Sequence, residues 1–234
     1  MFSVAILAGG LATRLRPITQ TIPKALVEVA GKPFIEHQLG YLRAQGVQHV
    51  VICIGYLGEM IQDFVGAGER FDLKVGYSPD GETLLGTGGA LKKALPWLGE
   101  HFFVLYGDSF LPVNFVGVQK AFAECGQKAL MTVLKNGDRW DKSNVLFEGG
   151  RLVEYNKHSP RREMAHIDYG LGVLAAELLA QYTGKLPFDL ADVYHALSLH
   201  GQLFGLEVHQ RFYEIGSHTG LKEAEEYFLN MEKL

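Results

Sequence analysis

Apolar runs alternate with helix-like patterns along the first half of the chain. Strands are predicted at the short apolar runs Val4–Leu7, Val50–Ile54, Leu73–Tyr77 and Phe102–Tyr106. Between them, apolar residues recur at helical spacing around positions 35–42, 60–64 and 90–95. The β-α-β-α-β order that results predicts an α/β fold, with a Rossmann-like, open, mostly parallel sheet and helices on both of its faces.

The second half of the chain has a more mixed pattern. Strands are predicted at Lys128–Leu134, Asn144–Phe147, Arg151–Tyr155 and Ile167–Leu174, and the two glycines at 149–150 turn the middle pair into a hairpin. Helices are predicted at Leu190–Leu199 and over 221–231. No Pro/Gly/Ser-rich linker, low-complexity segment or repeat interrupts the pattern, so we expect residues 1–234 to form a single domain.

Composition narrows the class of protein. Hydrophobic residues make up 47% of 234 positions, which is enough for a full core, and the net charge of −4 argues against a nucleic-acid-binding surface. The two cysteines, Cys53 and Cys125, show no metal or disulfide spacing, and the nine histidines show no paired ligand spacing. The N-terminal apolar stretch is too short for a signal peptide or a membrane span, so a cytoplasmic, soluble protein is expected.

The loop after the first strand carries the first chemical signal. Val4–Leu7 is followed by Gly9 and Gly10, then by Thr13 and Arg14, and Lys24 lies ten residues beyond Arg14. Glycines let backbone N–H groups approach a ligand closely, and nearby cations neutralise a polyphosphate. This loop therefore predicts a nucleoside triphosphate site.

Two further segments are predicted at the same edge of the sheet, where ligands of open parallel sheets bind. Leu85–Ala90 is rich in glycine and opens a helix, and Asp108 directly follows the strand Phe102–Tyr106. Asp108 is either a Mg²⁺ ligand beside a triphosphate or a cap or turn residue. No G-x-x-x-x-G-K-[ST] motif occurs, and Gly86–Gly89 does not complete G-x-G-x-x-G, which disfavours a P-loop protein and a dehydrogenase.

Taken together, these motifs resemble the sugar-1-phosphate nucleotidylyltransferases and match that family's order along nearly the whole chain. Two positions depart from it: Ala12 replaces a glycine, where a methyl group is tolerable if φ stays negative, and Glu214 replaces an Asp that completes the metal site. The matching segments are Gly9–Leu15, Pro17, Pro23-Lys24, Gly31-Lys32-Pro33, Leu85–Ala90, Gly107-Asp108 and Tyr213–Gly216.

The resemblance implies the nucleotide-diphospho-sugar transferase type of fold and a reaction in which a sugar 1-phosphate attacks the α-phosphorus of a nucleoside triphosphate. Arg14 would bind the leaving pyrophosphate and Lys24 would bridge the two substrates' phosphates, while Mg²⁺ would sit on Asp108 and Glu214. The base would stack near Gly88 and Gly89. The expected nucleotide-binding residues are Leu7, Ala8, Gly9, Gly10, Thr13, Glu82, Gly88, Gly89 and Gly107.

The C-terminal half is expected to hold the second substrate. The resemblance assigns Lys157, Asp168 and Gly170 to the sugar phosphate, although Lys157 and Asp168 also fit a solvated hairpin and a strand-edge polar residue. The N-terminal half would then hold the nucleotide. Both substrates are small molecules, and the chain is expected to be a monomer or a homodimer without a membrane or nucleic-acid partner.

The identity of the substrates stays open at this point. The residues of the Leu85–Ala90 motif and the short chain favour GTP with D-glycero-D-manno-heptose 1-phosphate. Glu82 would accept hydrogen bonds from guanine N1 and N2. Alternatives are UTP with N-acetylmuramate 1-phosphate or another hexose 1-phosphate, and CTP with phosphocholine, whose ammonium needs an aromatic cage. A nucleotide-sugar sensor or scaffold is disfavoured because Arg14, Lys24 and Asp108 are all present. The candidate cage residues are Tyr106, Tyr155, Tyr169 and Trp140.

Overall fold

The computed structural model describes residues 1–231. Short 3-10 turns occupy Thr13–Leu15, Ile18–Gln20, Lys24–Leu26 and Glu69–Phe71. The strands are β1 Ser3–Leu7, β2 Glu28–Val29, β3 Lys32–Pro33, β4 His49–Ile54, β5 Lys74–Pro79, β6 His101–Tyr106, β7 Ser109–Phe110, β8 Ala129–Lys135, β9 Val145–Glu148, β10 Arg151–Tyr155, β11 His166–Ala175, β12 Leu203–Val208 and β13 Tyr213–Glu214. The helices are α1 Phe34–Ala44, α2 Gly58–Val65, α3 Gly86–Leu98, α4 Phe115–Cys125, α5 Ala176–Ala180, α6 Leu190–Leu199 and α7 His218–Met231.

A nine-stranded sheet runs through the described part of the molecule in the order β10-β9-β11-β6-β1-β4-β5, with β8 beside β11 and β12 beside β8. The strands β6, β1, β4 and β5 are mutually parallel. The long strand β11 is antiparallel to β6 and to β8. The predicted parallel N-terminal half and mixed C-terminal half are both confirmed.

Helices cover both faces of this sheet, as predicted. Alternate side chains of a strand point to opposite faces. Thus Val4 and Ile6 of β1 join the core beneath α1, α2 and α4, whereas Ala5 joins the core beneath α3, α5 and α6. Burying each Val, Leu or Ile side chain in these cores contributes roughly 1.5–3 kcal/mol. The two cores fix the carboxyl ends of β1, β4, β5 and β6 relative to one another.

A third, smaller core brings the C-terminal helix back to this edge of the sheet. Phe228 of α7 packs edge-on against Phe110 and Phe34, and Ile215 is fully buried beside them. The two-residue strand β13 pairs antiparallel with β7, which places Glu214 opposite Ser109. The last part of the chain therefore contributes to the same edge as the first strand.

Several elements have no counterpart among the predictions, and helix α4 and strand β12 are the longest of them. Helix α4 begins at Phe115 behind Asn114, whose side chain accepts a hydrogen bond from the Gly117 N–H at 3.0 Å. Strand β12 was missed because Gly205 interrupts its apolar run. A glycine is needed there, since a Cβ would lie 2.7 Å from the Leu152 Cβ. Helix α3 also begins at Gly86, four residues before the predicted start. No helix among residues 1–231 has the length and apolar character needed to cross a membrane.

Candidate active site

A cavity of about 250 Å³ opens at the carboxyl edge of the parallel strands. The loops after β1, β5 and β6 form it together with Cys53 of β4, the turn at 24–25 and the first turn of α3. The cavity therefore lies where open α/β sheets bind their ligands. Its lining residues are Leu7, Ala8, Gly9, Gly10, Ala12, Lys24, Ala25, Cys53, Asp80, Leu84, Gly86, Thr87, Ala90, Tyr106, Gly107 and Asp108.

The two glycines after β1 differ in what their missing side chains allow. A Cβ at Gly9 would lie 3.1 Å from the backbone nitrogen of Gly55, so Gly9 permits close packing of the loops after β1 and β4. A Cβ at Gly10 would meet no other part of the described chain within 4 Å. Gly10 thus leaves open space in the cavity, where a phosphate can approach the backbone.

An ion pair stands at one end of the cavity. The Lys24 Nζ donates to the Asp108 Oδ2 at 2.9 Å, and the two side chains are only 18% and 26% exposed. Lys24 lies in a 3-10 turn, and Asp108 lies in the turn between β6 and β7. Residues 84 positions apart in sequence therefore form one charged group at the rim of the cavity.

Glu214 lies beside this pair. The backbone N–H of Ile215 donates to the Asp108 carbonyl at 2.9 Å, which ties β13 to the Asp108 turn. The Arg14 Nη2 and the Glu214 Oε1 lie 3.6 and 3.7 Å from the position that a Cβ on Gly216 would occupy. The Arg14 guanidinium and the Glu214 carboxylate therefore face the same small space.

The pKa of Glu214 depends on the charged side chains around it. Burial raises its pKa, and the carboxylates of Asp108 and Asp141 raise it further, while Arg14 and Lys24 lower it. Each of these side chains must lie within electrostatic range of Glu214 to do so. Arg14, Lys24, Asp108 and Glu214 are thus brought together, although Arg14 and Glu214 do not line the cavity itself.

The two carboxylates are a suitable donor set for Mg²⁺. Within residues 1–231, no group of three or more His, Cys, Asp and Glu side chains is arranged to hold a metal ion. Mg²⁺ often binds through one or two carboxylates, with substrate phosphates and water completing its octahedron. Asp108 and Glu214 fit an ion that arrives with a triphosphate, since the Asp108 carboxylate raises the pKa of Glu214 and a cation would offset that repulsion.

The loop that follows Gly10 departs from expectation at Ala12. Its φ is +48°, so the condition under which a methyl group is tolerated there, a negative φ, is not met. A left-handed alanine costs roughly 1–2 kcal/mol. The carbonyl of Ala12 accepts hydrogen bonds from the Leu15 N–H at 3.2 Å and the Thr19 hydroxyl at 2.7 Å, which hold this conformation. Thr13 is exposed and lies outside the cavity lining.

The glycines at the start of α3 do not provide the predicted room for a base. A Cβ at Gly88 would overlap the Phe188 ring, and one at Gly89 would lie 2.7 Å from the Leu186 Cδ2. The space that their absent side chains leave is filled by protein, and base stacking near these glycines stays a prediction. Gly86 and Thr87 line the cavity instead.

The predicted sugar-phosphate residues form a second group outside the cavity lining. Asp168 lies on β11 and accepts the Gly170 N–H at 3.0 Å, where Gly170 has a φ of +101° beside an irregularity in the β8–β11 pairing. Burial raises the pKa of Asp168 to about 6, although the Gly170 N–H and Lys157 lower it. The Lys157 Nζ lies 3.2 Å from the Asp189 Oδ2.

Asp189 links this second group to the cavity. Its Oδ1 accepts the Thr87 hydroxyl at 2.6 Å and the Ala191 N–H at 3.0 Å, and its Oδ2 accepts Lys157. These hydrogen bonds lower the pKa of Asp189 against the effect of burial. One carboxylate therefore caps α6, holds Lys157 and contacts a residue of the cavity wall.

Three residues in and around the site were not predicted from the sequence: Asp189, Asp80 and Gln38. Asp80 directly follows β5, just as Asp108 directly follows β6, so the same reasoning from strand ends applies to it. The strand was predicted to end too early, at Tyr77, and the exposed Glu82 was chosen instead. Asp80 lines the cavity, whereas Glu82 does not. Gln38 gave no chemical signal because an amide within a helix has many ordinary uses.

Comparison with known proteins agrees with the fold and the motifs. The family model described as nucleotidyl transferase matches residues 3–143. The chain belongs to the nucleotidyl transferase family. The matched segment runs from β1 to just beyond β8, and it includes Arg14, Lys24 and Asp108.

Individual relatives of this nucleotidyl transferase chain differ in the base that their names specify. It is 30% identical over 217 residues to the mannose-1-phosphate guanylyltransferase catalytic subunit beta of Danio rerio, covering 90% of this chain and 60% of that protein. It is 40% identical over 111 residues to the N-acetylmuramate alpha-1-phosphate uridylyltransferase of Neisseria meningitidis serogroup B, covering 47% and 48%. It is 38% identical over 109 residues to the D-glycero-alpha-D-manno-heptose 1-phosphate guanylyltransferase of Campylobacter jejuni, covering 47% and 48%.

A solved structure supports the same fold. HddC from Yersinia pseudotuberculosis superposes with a TM-score of 0.82 at 24% identity, covering 97% of this chain and all of that one. The fold is therefore of the nucleotide-diphospho-sugar transferase type. The chain spans about 60% of the length of the Danio rerio relative.

Proposed function

We propose that this chain transfers a nucleoside monophosphate from a nucleoside triphosphate to a sugar 1-phosphate and releases pyrophosphate. The observation that carries the proposal is the convergence of Arg14, Lys24, Asp108 and Glu214 at one end of a glycine-lined cavity. The attacking phosphate is already a good nucleophile, so the reaction needs no general base. The protein must instead neutralise and align two anions that repel each other.

Each cation has a distinct task in this proposal. Lys24 lies at the rim of the cavity, where its ammonium can reach both the α-phosphate and the incoming sugar phosphate. Arg14 lies beyond it, near Glu214, and its planar fork suits the β- and γ-phosphates of the leaving pyrophosphate. The Asp108 carboxylate holds Lys24 at 2.9 Å and thereby fixes the ammonium before substrate arrives.

We infer that Mg²⁺ is the cofactor and that Asp108 and Glu214 would hold it. The ion would supply charge neutralisation and polarisation at the phosphate oxygens. The proximity of Glu214 to Asp108 supports this assignment, because a bound dication would offset the repulsion between the two carboxylates.

GTP with D-glycero-D-manno-heptose 1-phosphate is the substrate pair that we favour. Similarity to guanylyltransferases of Danio rerio and Campylobacter jejuni supports GTP, and the latter's name specifies the heptose. The alternative is UTP with N-acetylmuramate 1-phosphate, which the Neisseria meningitidis relative supports. We assign the sugar phosphate to the group formed by Lys157, Asp168 and Gly170 in the C-terminal half.

CTP with phosphocholine receives less support. Tyr155 and Tyr169 are 2% and 1% exposed, and their rings pack edge-on against Tyr194 and Phe212. The Arg211 guanidinium already lies over the Trp140 ring, with its Cζ 5.1 Å from the ring centroid. Of the candidate cage residues, Tyr106 alone lines the cavity, and one ring does not enclose a quaternary ammonium.

Pyrophosphate release tests the proposal. Four nucleoside triphosphates would be assayed with Mg²⁺ against the 1-phosphates of heptose, mannose, glucose and N-acetylmuramate. Release with at least one pair is expected, and Lys24→Ala and Asp108→Ala should each lower kcat by about 100-fold or more. The fold should survive, because a partly exposed ion pair contributes only about 1 kcal/mol or less to stability.

Two surface variants serve as matched controls. Lys120→Ala on α4 and Asp63→Ala on α2 remove the same charges from exposed positions and should leave turnover unchanged. Nucleotide binding without pyrophosphate release from any pair would favour a sensor or scaffold. Near-normal turnover of Lys24→Ala or Asp108→Ala would contradict the role assigned to that residue.

A further inference from the structure

A buried carboxylate lies at the opposite end of the cavity from Lys24. Asp80 is 9% exposed and lines the cavity, as do Cys53, Leu84 and Ala90. Its Oδ2 accepts the Leu85 N–H at 3.2 Å, and its own N–H donates to the Ile54 carbonyl at 2.8 Å. The Lys93 ammonium donates to the Asp80 carbonyl at 3.2 Å, so the carboxylate is fixed with one cation nearby.

The order of the strands sets the distance between the two ends. Asp108 follows β6 and Asp80 follows β5, and the sheet order is β6-β1-β4-β5. Three spacings of about 4.8 Å separate the outer two strands, which is roughly 14 Å. An extended nucleoside triphosphate is of comparable length. Since its phosphates belong with the cations near Asp108, its base belongs near Asp80.

The hydrogen-bonding pattern of each base decides which one a fixed carboxylate accepts. Guanine presents N1–H and N2–H side by side, and a carboxylate can accept both. Uracil presents one N–H between two carbonyl oxygens, which repel a carboxylate. Adenine and cytosine each place a ring-nitrogen acceptor beside the amino group. The Leu85 N–H uses only part of the acceptor capacity of Asp80.

We propose that Asp80 is the residue that selects guanine in this chain. The inference rests on the proposed function, which places a nucleoside triphosphate in the cavity, and it replaces Glu82 as the guanine-reading residue. Glu82 lies two positions further along the chain, is exposed and is outside the cavity lining. It thus provides a matched control of the same charge in the same loop.

Nucleotide binding measured by titration calorimetry with Mg²⁺ tests the assignment without any sugar phosphate. The probes are GTP, UTP and inosine triphosphate, which retains N1–H but lacks the N2 amino group. The native chain should bind GTP about tenfold or more tightly than inosine triphosphate, because a hydrogen bond to a charged acceptor is lost. UTP should bind more weakly still.

Two variants test which residue causes the preference for GTP over inosine triphosphate. Asp80→Asn keeps an acceptor for the Leu85 N–H but offers the base a mixed donor and acceptor, so the GTP preference should fall to within about threefold. Glu82→Gln should keep the native preference. If Asp80→Asn does not fold, the ratio of GTP to inosine triphosphate in the native chain decides: a ratio near one overturns the assignment.

The remaining outcomes separate the two proposals. Tight binding of GTP, UTP and inosine triphosphate alike, a preference for UTP, or loss of preference in Glu82→Gln but not in Asp80→Asn overturns the role of Asp80 and leaves the proposed function standing. Failure of every triphosphate to bind overturns the proposed function and the role of Asp80 with it.

Discussion

Burial makes the ionisation of Asp168 costly, and a simple substitution can measure that cost. Burial raises its pKa to about 6 in the folded chain, against an ordinary value of 3.8. Below pH 3.8 both states hold the proton. Between pH 3.8 and 6 the unfolded chain ionises first, so stability falls as pH rises, and above pH 6 the full penalty applies. The penalty is about 1–3 kcal/mol, reduced by partial access to solvent.

Asp168→Asn should therefore raise the free energy of unfolding at pH 7.5 but not at pH 3.5. Urea unfolding of the native and variant chains at both pH values measures the difference. Asp63→Asn, on the exposed face of α2, controls for the loss of one negative charge. An equal effect of Asp168→Asn at the two pH values would show that burial does not raise the pKa of this carboxyl.

At the scale of single elements, α1 positions the Asp108 turn. The Gln38 side chain of α1 is 2% exposed, and its Nε2 donates to the Tyr106 carbonyl at 2.9 Å and to the Ser109 carbonyl at 2.7 Å. These two carbonyls flank Gly107 and Asp108. Gln38→Met keeps the volume but leaves both carbonyls unpaired, which costs about 1–3 kcal/mol.

The expected result for Gln38→Met is a several-fold rise in the Mg²⁺ concentration that gives half-maximal pyrophosphate release, together with the loss of stability. The first readout tests the position of Asp108, and urea unfolding measures the second. Gln62→Met, on the exposed side of α2, is the matched control. A loss of stability with an unchanged Mg²⁺ dependence would assign Gln38 to packing alone.

Elements differed in how well their sequence pattern predicted them. The central strands were predictable because a strand covered on both faces must be apolar throughout, and the cavity loops followed from the rule about strand ends. The packing of the segment 186–190 against the first turn of α3 was not predictable. The Phe188 carbonyl accepts the Gly88 N–H at 3.1 Å, and the Phe188 ring fills the space beside that glycine. A contact between positions 100 residues apart leaves no local signal, so the glycines suggested room for a ligand.

At the scale of the whole molecule, the N-terminal and C-terminal halves share one sheet. The C-terminal strand β11 pairs with β6 over five residue positions, from Leu171 to Ala175. The strand β13 pairs with β7, and α7 packs beside α1 through the stacking of His37 on Phe228 at 3.9 Å. These contacts could not be derived from the chain order, because a sequence pattern does not state which edge of a sheet later strands join.

This sharing predicts that the chain unfolds in a single step, as expected for one domain over residues 1–234. Trp97 lies on α3 and Trp140 lies in the loop after β8, so each tryptophan reports on one half. In urea, Trp140→Phe and Trp97→Phe should show fluorescence midpoints that agree with each other and with far-UV circular dichroism. Separate midpoints would mean that the β6–β11 pairing is too weak to couple the halves. The nucleotide and sugar-phosphate groups would then belong to two domains, and the Asp189 link between Thr87 and Lys157 would cross their boundary.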